Sequence, residues 1–236
     1  MSRLAALGVF VSIASAPALA AAHEVNFGAL GGDRPNLLYA RGGAEYGFVA
    51  GVGYGRVFRI ANRPLVLSGD LTMPIAMPDF GDYRARVGVQ IPIVYKRGAV
   101  LAARVAPAVR GNDNTIARMT SLGTDTGVLA GYYAKRWFIA GEVGIDAAWT
   151  THIEHADRYR VTQNPAAKDG WYAVTGGNVY YGLLGGYSFE FADLMLRVGQ
   201  SRNLSNGKTG FLPAYATLNI SFRFPDPGAR RRPSSR

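Results

Sequence analysis

Apolar residues alternate with small or polar ones along most of the chain, and this period of two predicts β-strands. In residues 137–149, one face holds only apolar or small side chains, whereas Glu142 and Asp146 fall on the opposite face. The same alternation recurs in other stretches between Tyr46 and Phe224, and nine strands can be read in this way. The sequence therefore predicts an all-β protein.

The connections between these strands are alternately short and long. The short ones lie at 61–64, 96–98, 134–136 and 189–192. The longer, polar ones lie near 77–82, 110–121, 150–177 and 203–211. Short turns at one end and long loops at the other are typical of an outer-membrane barrel, with short periplasmic turns and longer extracellular loops. We therefore predict a single antiparallel transmembrane β-barrel with its apolar face towards lipid.

The strand count follows from parity, because bacterial single-chain barrels have even numbers of strands. A tenth strand is expected before Tyr46, with NLLYA (36–40) as the best candidate and EVNFGAL (24–30) as the other. We predict ten strands, with eight as the alternative.

The last predicted strand ends in ATLNISFRF, residues 216–224. This segment resembles the C-terminal targeting signal of small Gram-negative outer-membrane β-barrel proteins. The resemblance is to the class, and it implies the barrel assembly machinery as a partner during biogenesis. Here a basic tail, 225–236, follows the final Phe224; its Pro, Arg and Ser content predicts a disordered periplasmic segment.

The beginning of the chain predicts export. Arg3, an apolar run and the triplet Ala18-Leu19-Ala20 are typical of a secretory signal peptide, 1–20, cleaved after Ala20 or alternatively after Ala22. The barrel would then occupy 21–224, in the bacterial outer membrane. The chain has no Cys, which excludes disulfides and thiolate metal sites, and its formal charge is +10. For an exported protein, membrane lipids and lipopolysaccharide are the expected anionic partners, and no nucleic-acid motif is present.

Charged residues share the polar phase of the strands and are therefore expected to line the lumen. They are Asp70, Arg84, Arg86, Arg104, Arg110, Asp125, Glu142, Asp146, Arg197 and Arg223. Four acids against six bases predict an ion-pair network that fixes the barrel, or a narrow, porin-like, weakly anion-preferring passage for small solutes. Glycines also lie on this lumen-facing phase of the strands, and they are compatible with either the ion-pair network or the narrow passage.

The motif HIEHAD raises the alternative of a barrel enzyme. Its candidates are His152, Glu154, His155 and Asp157, with Asp113 or Asp82 as further acids. In an extended strand His152 and Glu154 continue the lumenal phase of Glu142 and Asp146, and His155 points the other way. Omptin proteases, which the chain resembles only in architecture, use Asp and His near the extracellular rim. Lipid A deacylases, a class of lipid A-modifying barrel enzymes, instead need a Ser and a His on the membrane-facing outer surface, for which Ser121 and His155 are candidates. No metal or cofactor motif is present.

The longest predicted loop supplies a second alternative, adhesion or binding of a partner. It combines bases with aromatics that suit sugars, phosphates or a protein surface: Arg158, Tyr159, Arg160, Lys168, Trp171 and Tyr172. The sequence leaves the oligomeric state open.

Overall fold

The computed structural model describes residues 24–226 apart from 32, 46, 62, 76–80 and 205–212. The predicted signal peptide, both of its cleavage positions and most of the basic tail lie outside the described residues. Within them, no helix is long and apolar enough to cross a membrane.

Ten strands form one closed antiparallel barrel in which each strand pairs with its neighbours in sequence and β1 pairs with β10. The strands are β1 (Asn36–Ala44), β2 (Phe48–Ile60), β3 (Arg63–Pro74), β4 (Tyr83–Lys96), β5 (Ala99–Asp113), β6 (Ala117–Tyr133), β7 (Trp137–His155), β8 (Gly170–Ser188), β9 (Ala192–Asn203) and β10 (Ala214–Phe224). One short helix, α1 (Asp157–Thr162), lies between β7 and β8. The prediction of ten strands is confirmed, and NLLYA begins β1.

The barrel is apolar outside and polar inside. Large apolar side chains point outwards and are well exposed, as with Val52 at 61% and Leu183 at 58%. The opposite phase of the same strands is buried and carries the charges, including Arg84 at 1% and Asp125 at 0%. The predicted assignment of the two faces is therefore correct.

The four short connections lie together at one end of the barrel, here called the short-turn end. Arg97 and Gly98, which join β4 to β5, both have positive φ, of 52° and 88°. This combination is that of the tight type I′ turn, whose twist matches that of a β-hairpin. A cluster of buried apolar residues lies in the lumen next to these turns: Leu37, Val66, Val100, Ala102, Leu129, Tyr133, Phe138, Ala140, Leu184 and Met195.

The opposite end is uneven. Strands β7 and β8 have 19 residues each, whereas β1 has 9 and β10 has 11. The wall formed by β5 to β8 therefore rises above the rest of the barrel, and we call it the raised wall. The predicted loops 110–121 and 150–177 are wrong in extent, because strand pairing continues to Asp113, Ala117, His155 and Gly170. A polar composition does not end a strand when a neighbouring strand still satisfies its backbone groups.

Candidate functional site: the lumen and the raised wall

The lumenal charges form a continuous ion-pair network in two layers. In the layer nearer the short-turn end, Glu142 accepts from Arg197 at 2.5 Å and from Arg104 at 3.1 Å. Because these arginines lie on β9 and β5 and Glu142 lies on β7, their ion pairs reach across part of the bore. The Arg104 guanidinium also approaches Asp125 at 4.0 Å, which joins this layer to the next.

The second layer lies nearer the opposite end of the barrel, where the raised wall is. Asp70 accepts from Arg86 at 2.7 Å and from Arg41 at 2.8 Å. Asp146 on β7 accepts from Arg84 on β4 at 3.1 Å and from Arg110 on β5. The pairs of Asp70 with Arg41 and of Asp146 with Arg84 and Arg110 tie strands that do not pair with each other in the sheet, whereas Asp70 and Arg86 lie opposite each other on the paired strands β3 and β4.

The network contains equal numbers of basic and acidic side chains among the described residues. They are Arg41, Arg84, Arg86, Arg104, Arg110 and Arg197, with Glu24, Glu45, Asp70, Asp125, Glu142 and Asp146. The predicted surplus of arginines is therefore wrong, because three members were missed and one was misplaced. Arg223 lies apart at the short-turn end, paired with Asp193 at 3.3 Å. A balanced lumen gives no basis for anion preference.

Three tyrosines fill the space that the lumenal glycines leave. The ring of Tyr39 lies against Gly53, that of Tyr180 against Gly144, and that of Tyr215 against Gly199. Such aromatic cover of strand glycines is a known device for fixing register and curvature. The glycines therefore make room for aromatic rings that help to fill the bore.

The tyrosine hydroxyls are part of the network. Tyr180 donates to Asp125 at 2.6 Å and accepts from Arg104 at 2.5 Å, and Tyr215 donates to Glu142 at 2.7 Å. The guanidinium of Arg197 also lies over the ring of Tyr215, 4.3 Å from its centroid. Charge, hydrogen bonding and packing are thus combined in the same few side chains.

The segment Glu24–Gly31, which contains the EVNFGAL alternative for the tenth strand, instead enters the lumen from the short-turn end. Val25 and Phe27 are 3% exposed within the cluster of buried apolar residues, and Phe27 packs edge-on against Tyr133 with ring centroids 5.4 Å apart. The side-chain amide of Asn26 donates to the Ala134 carbonyl at 3.0 Å and to the Ser188 hydroxyl at 2.8 Å. We call this segment the plug.

The plug reaches the ion-pair network. Glu24 accepts from Arg104, and at the other end of the plug Arg223 donates to the Ala29 carbonyl at 2.8 Å. Its Gly28 lies so close to the Ala134 backbone that a Cβ would be 2.7 Å from the carbonyl carbon. Sequence reasoning missed the plug because the alternation of Val25 and Phe27 with Asn26 and Gly28 was interpreted as a possible strand.

The histidines do not form one site. In the pairing with β6, the register shifts between Leu122 and Gly123, which leaves Trp149 as an extra residue in β7. A bulge of this kind reverses the alternation beyond it. His155 is consequently the buried one, at 7%, and His152 and Glu154 lie on the more exposed phase. The predicted orientation of all three side chains is wrong for this reason.

Each histidine has its own acidic neighbour. His152 lies 3.6 Å from Glu154 and packs against Trp171, with ring centroids 5.1 Å apart. His155 Nδ1 lies 3.0 Å from Asp169, a residue that the sequence analysis did not select. Asp157 is exposed at the start of α1. The four catalytic candidates are thus divided between two pairs and one solvent-facing carboxylate.

The other residues considered for catalysis have structural contacts. Ser121 exchanges a hydrogen bond with Thr151 at 2.7 Å, and its partner in the strand register is four residues away from His155. Asp113 forms an ion pair with Arg118 at 2.9 Å, and Asp82 accepts from Asn112 at 2.9 Å. Ser121 and His155 therefore do not meet. No group of three or more His, Asp or Glu within the described ranges could hold a metal ion.

Asp169 organises the loop between β7 and β8. It accepts from the His155 amide at 2.8 Å and also from Arg160. The bond from Arg160, followed by that from the His155 amide, holds the pKa of Asp169 below its ordinary value of 3.8. A lowered carboxyl pKa means that these contacts persist above that value and are lost as the pH falls through the lower pKa of the folded state.

The remaining residues of this loop that were predicted to bind a partner differ in how accessible their side chains are. Tyr159 stacks on His155, and Tyr172 donates to the Lys168 carbonyl at 2.7 Å. Trp171 is 60% exposed, and the side chain of Arg158 faces solvent on α1. Arg160 is engaged with Asp169, so the cationic character of this loop is smaller than its composition implied.

Comparison of the sequence with models of known protein families and with curated proteins yields no match. The lumen and the raised wall are therefore the features from which function is inferred.

Proposed function

We propose that this chain is an integral outer-membrane β-barrel with a closed lumen, which acts structurally and contacts its surroundings through the raised wall. The observation that carries the proposal is the balanced ion-pair network, in which most arginine–carboxylate pairs bridge strands that are not neighbours. Water-filled pores need an open bore, whereas these side chains are engaged with each other.

The outer surface supports membrane insertion. Trp137 and Trp149 mark the two ends of the apolar face of β7 and are 47% and 56% exposed. At about 3.4 Å per residue and a tilt near 40°, the strand between them rises roughly 30 Å, close to the apolar band of about 25 Å in such barrels. Tyr95, Tyr132 and Tyr187 are likewise exposed near the short-turn end, as expected for an aromatic girdle.

The raised wall supports a role at the cell surface. Six residues of β7 follow Trp149, so His152, Glu154 and the loop with α1 would stand above the lipid. There the exposed Trp171 and the cations of this region would meet lipopolysaccharide sugars and phosphates or a protein partner. The ATLNISFRF segment forms the greater part of β10, which closes the barrel against β1, in keeping with delivery by the barrel assembly machinery.

Single-cysteine labelling tests orientation and closure together, because the chain has no natural Cys. Val161→Cys lies on α1, where Val161 is 81% exposed; Glu190→Cys lies at the short-turn end, where the Glu190 side chain is 85% exposed. Ala106→Cys faces the lumen, where Ala106 is 0% exposed. We expect a bulky, membrane-impermeant maleimide added to intact cells to label only Val161→Cys.

Two controls make this result decisive. Glu190→Cys should be labelled after the outer membrane is broken, and Ala106→Cys only after denaturation. Labelling of Glu190→Cys in intact cells as fast as Val161→Cys would contradict the orientation. Labelling of Ala106→Cys in the folded barrel would contradict the closed lumen.

A further inference from the structure

The raised wall stands above β9, so the upper part of β8 has a neighbouring strand on one side only within the described residues. Pairing of β8 with β9 ends at Asn178, and the Leu204 amide donates to the Gly177 carbonyl at 2.9 Å. Beyond this bond, β8 from Gly170 to Gly176 has β7 as its only neighbouring strand. We call this stretch the free edge, because an edge strand presents unpaired N–H and C=O groups to which another strand can bind.

The backbone groups available on the free edge belong to Trp171 and Ala173. The Thr150 hydroxyl donates to the Tyr172 carbonyl at 3.1 Å, so this carbonyl points towards β7. Successive residues of a strand direct their backbone groups to alternate sides, so those of Trp171 and Ala173 point away from β7. Two N–H and two C=O groups are thereby available to a further strand.

The free edge lacks the features that usually prevent such pairing. Natural sheets protect exposed edges with charges, Pro or covering groups. The opposite edge of the raised wall is covered, because the Asp82 carboxylate accepts from the Asp113 amide at 2.9 Å. The free edge has neither charge nor Pro, and its Trp171 and Val174 are 60% and 78% exposed. Val174 has a φ of 50° where the register shifts, so the regular part of the edge is Gly170–Ala173.

Positive charge flanks the free edge. Lys168 precedes it in the chain, and Arg202 lies near the end of β9, opposite Val179 of β8. Both side chains are exposed, and neither forms an ion pair with a described residue. The nearby carboxylate of Asp169 is already engaged by Arg160. The edge therefore favours a segment that carries negative charge.

A second copy of the barrel does not fit this edge. Two copies in one membrane would be related by an axis along the membrane normal, so their β8 strands would tilt in opposite senses where they meet. With a tilt near 40°, the two strands would cross at about 80°. Paired strands differ in direction by only about 20–25°, so no ladder could form.

We propose that the free edge binds an extended acidic segment of a partner protein by β-strand addition. This inference rests on the proposed position of the raised wall at the cell surface. Backbone bonds to Trp171 and Ala173 hold the segment, and the Trp171 ring packs against its apolar side chains. Lys168 and Arg202 select its acidic residues.

The test measures binding of a fluorescent octapeptide of alternating Val and Glu to the full chain, purified in folded form in detergent micelles. Ala173→Pro removes the N–H that points away from β7 and leaves the ladder with β7 in place, since Pro is tolerated on the open side of an edge strand. Ala173→Val is the matched control, because it keeps this N–H. Heat-modifiable migration verifies the fold of each variant.

Fluorescence anisotropy should show binding by the unsubstituted chain and by Ala173→Val, and an affinity weaker by about tenfold or more for Ala173→Pro. Equal binding by Ala173→Pro, or no binding by the unsubstituted chain, would overturn the inference.

Two modified peptides keep the test valid where Ala173→Pro does not fold. N-methyl groups on two consecutive central residues block both edges of the peptide and should abolish binding. Replacing Glu by Lys should weaken binding by about tenfold. Unchanged binding of the methylated peptide would overturn strand addition, and unchanged binding of the Lys peptide would overturn the acidic character of the partner.

Two further outcomes separate this inference from the proposed function. Dimers of the purified barrel that Ala173→Pro abolishes would overturn the choice of occupant in favour of a second copy. A peptide that binds the purified barrel, and binds cells only after the outer membrane is broken, would overturn the position of the raised wall at the cell surface and leave strand addition intact.

Discussion

Replacing Arg104 by Ala is expected to lower the free energy of unfolding by about 3–5 kcal/mol, which is the usual cost of removing one partner of a buried ion pair. Arg104 is 2% exposed and contacts Glu24, Glu142 and Tyr180. Its removal leaves Glu24 without this partner and takes one of two arginines from Glu142. Urea unfolding of the refolded barrel in lipid, followed by tryptophan fluorescence, measures the loss.

Arg56 provides the matched control. It pairs with Asp226 at 3.1 Å, but both side chains are well exposed, at 42% and 40%. Exposed ion pairs contribute about 0–1 kcal/mol, so Arg56→Ala should have little effect. Equal losses for the two variants would contradict the view that the lumenal network stabilises the barrel.

Replacing Gly144 by Val is expected to destabilise the barrel by about 1–3 kcal/mol or more, because the added side chain would overfill the lumen. A Cβ at this position would overlap the Tyr180 ring and lie 2.5 Å from the Thr126 carbonyl oxygen. The backbone oxygen cannot move without disturbing the ladder between β6 and β7. The change in urea midpoint, together with the fraction that refolds, measures the effect.

Gly141→Val is the control on the same strand. Gly141 faces outwards, and a Cβ there would have its nearest neighbour at 3.9 Å. In a lipid environment the added methyl groups should be neutral or favourable. If Gly141→Val proved as damaging as Gly144→Val, the glycines would matter for the backbone of β7 and not for tyrosine cover in the lumen.

Much of the fold follows from periodicity alone. The alternation around Glu142 and Asp146 assigned inward and outward faces correctly, since side chains of a strand alternate strictly between the two sides. The even strand number then required a strand before Tyr46, and NLLYA does begin β1. These features depend on local pattern and on a rule of closure, which a single sequence can reveal.

The details of the site depend on contacts that are distant in sequence. The bulge at Trp149 exchanges the inward and outward faces for His152 and His155. The alternation of residues before Trp149 does not predict this extra residue. Glu24 joins Arg104 across 80 positions of the chain. Sequence reasoning could therefore place charges in the lumen, but could not count them or find the plug.

The enzyme alternative receives no support from the arrangement of its candidates. His152 and His155 have separate acidic neighbours, and Ser121 is hydrogen-bonded to Thr151. A rim that binds a partner fits the same residues better, because Trp171 and Arg158 face outwards while Asp169 holds the loop in place.

Single-channel recording in a planar bilayer tests the closed lumen most directly. Residues 21–236, refolded and shown to be heat-modifiable, should give no steady current, whereas the chain lacking the plug and carrying Arg104→Ala should conduct. Silence of the first with current from the second is the predicted result. A steady current through the intact, folded barrel would contradict the account.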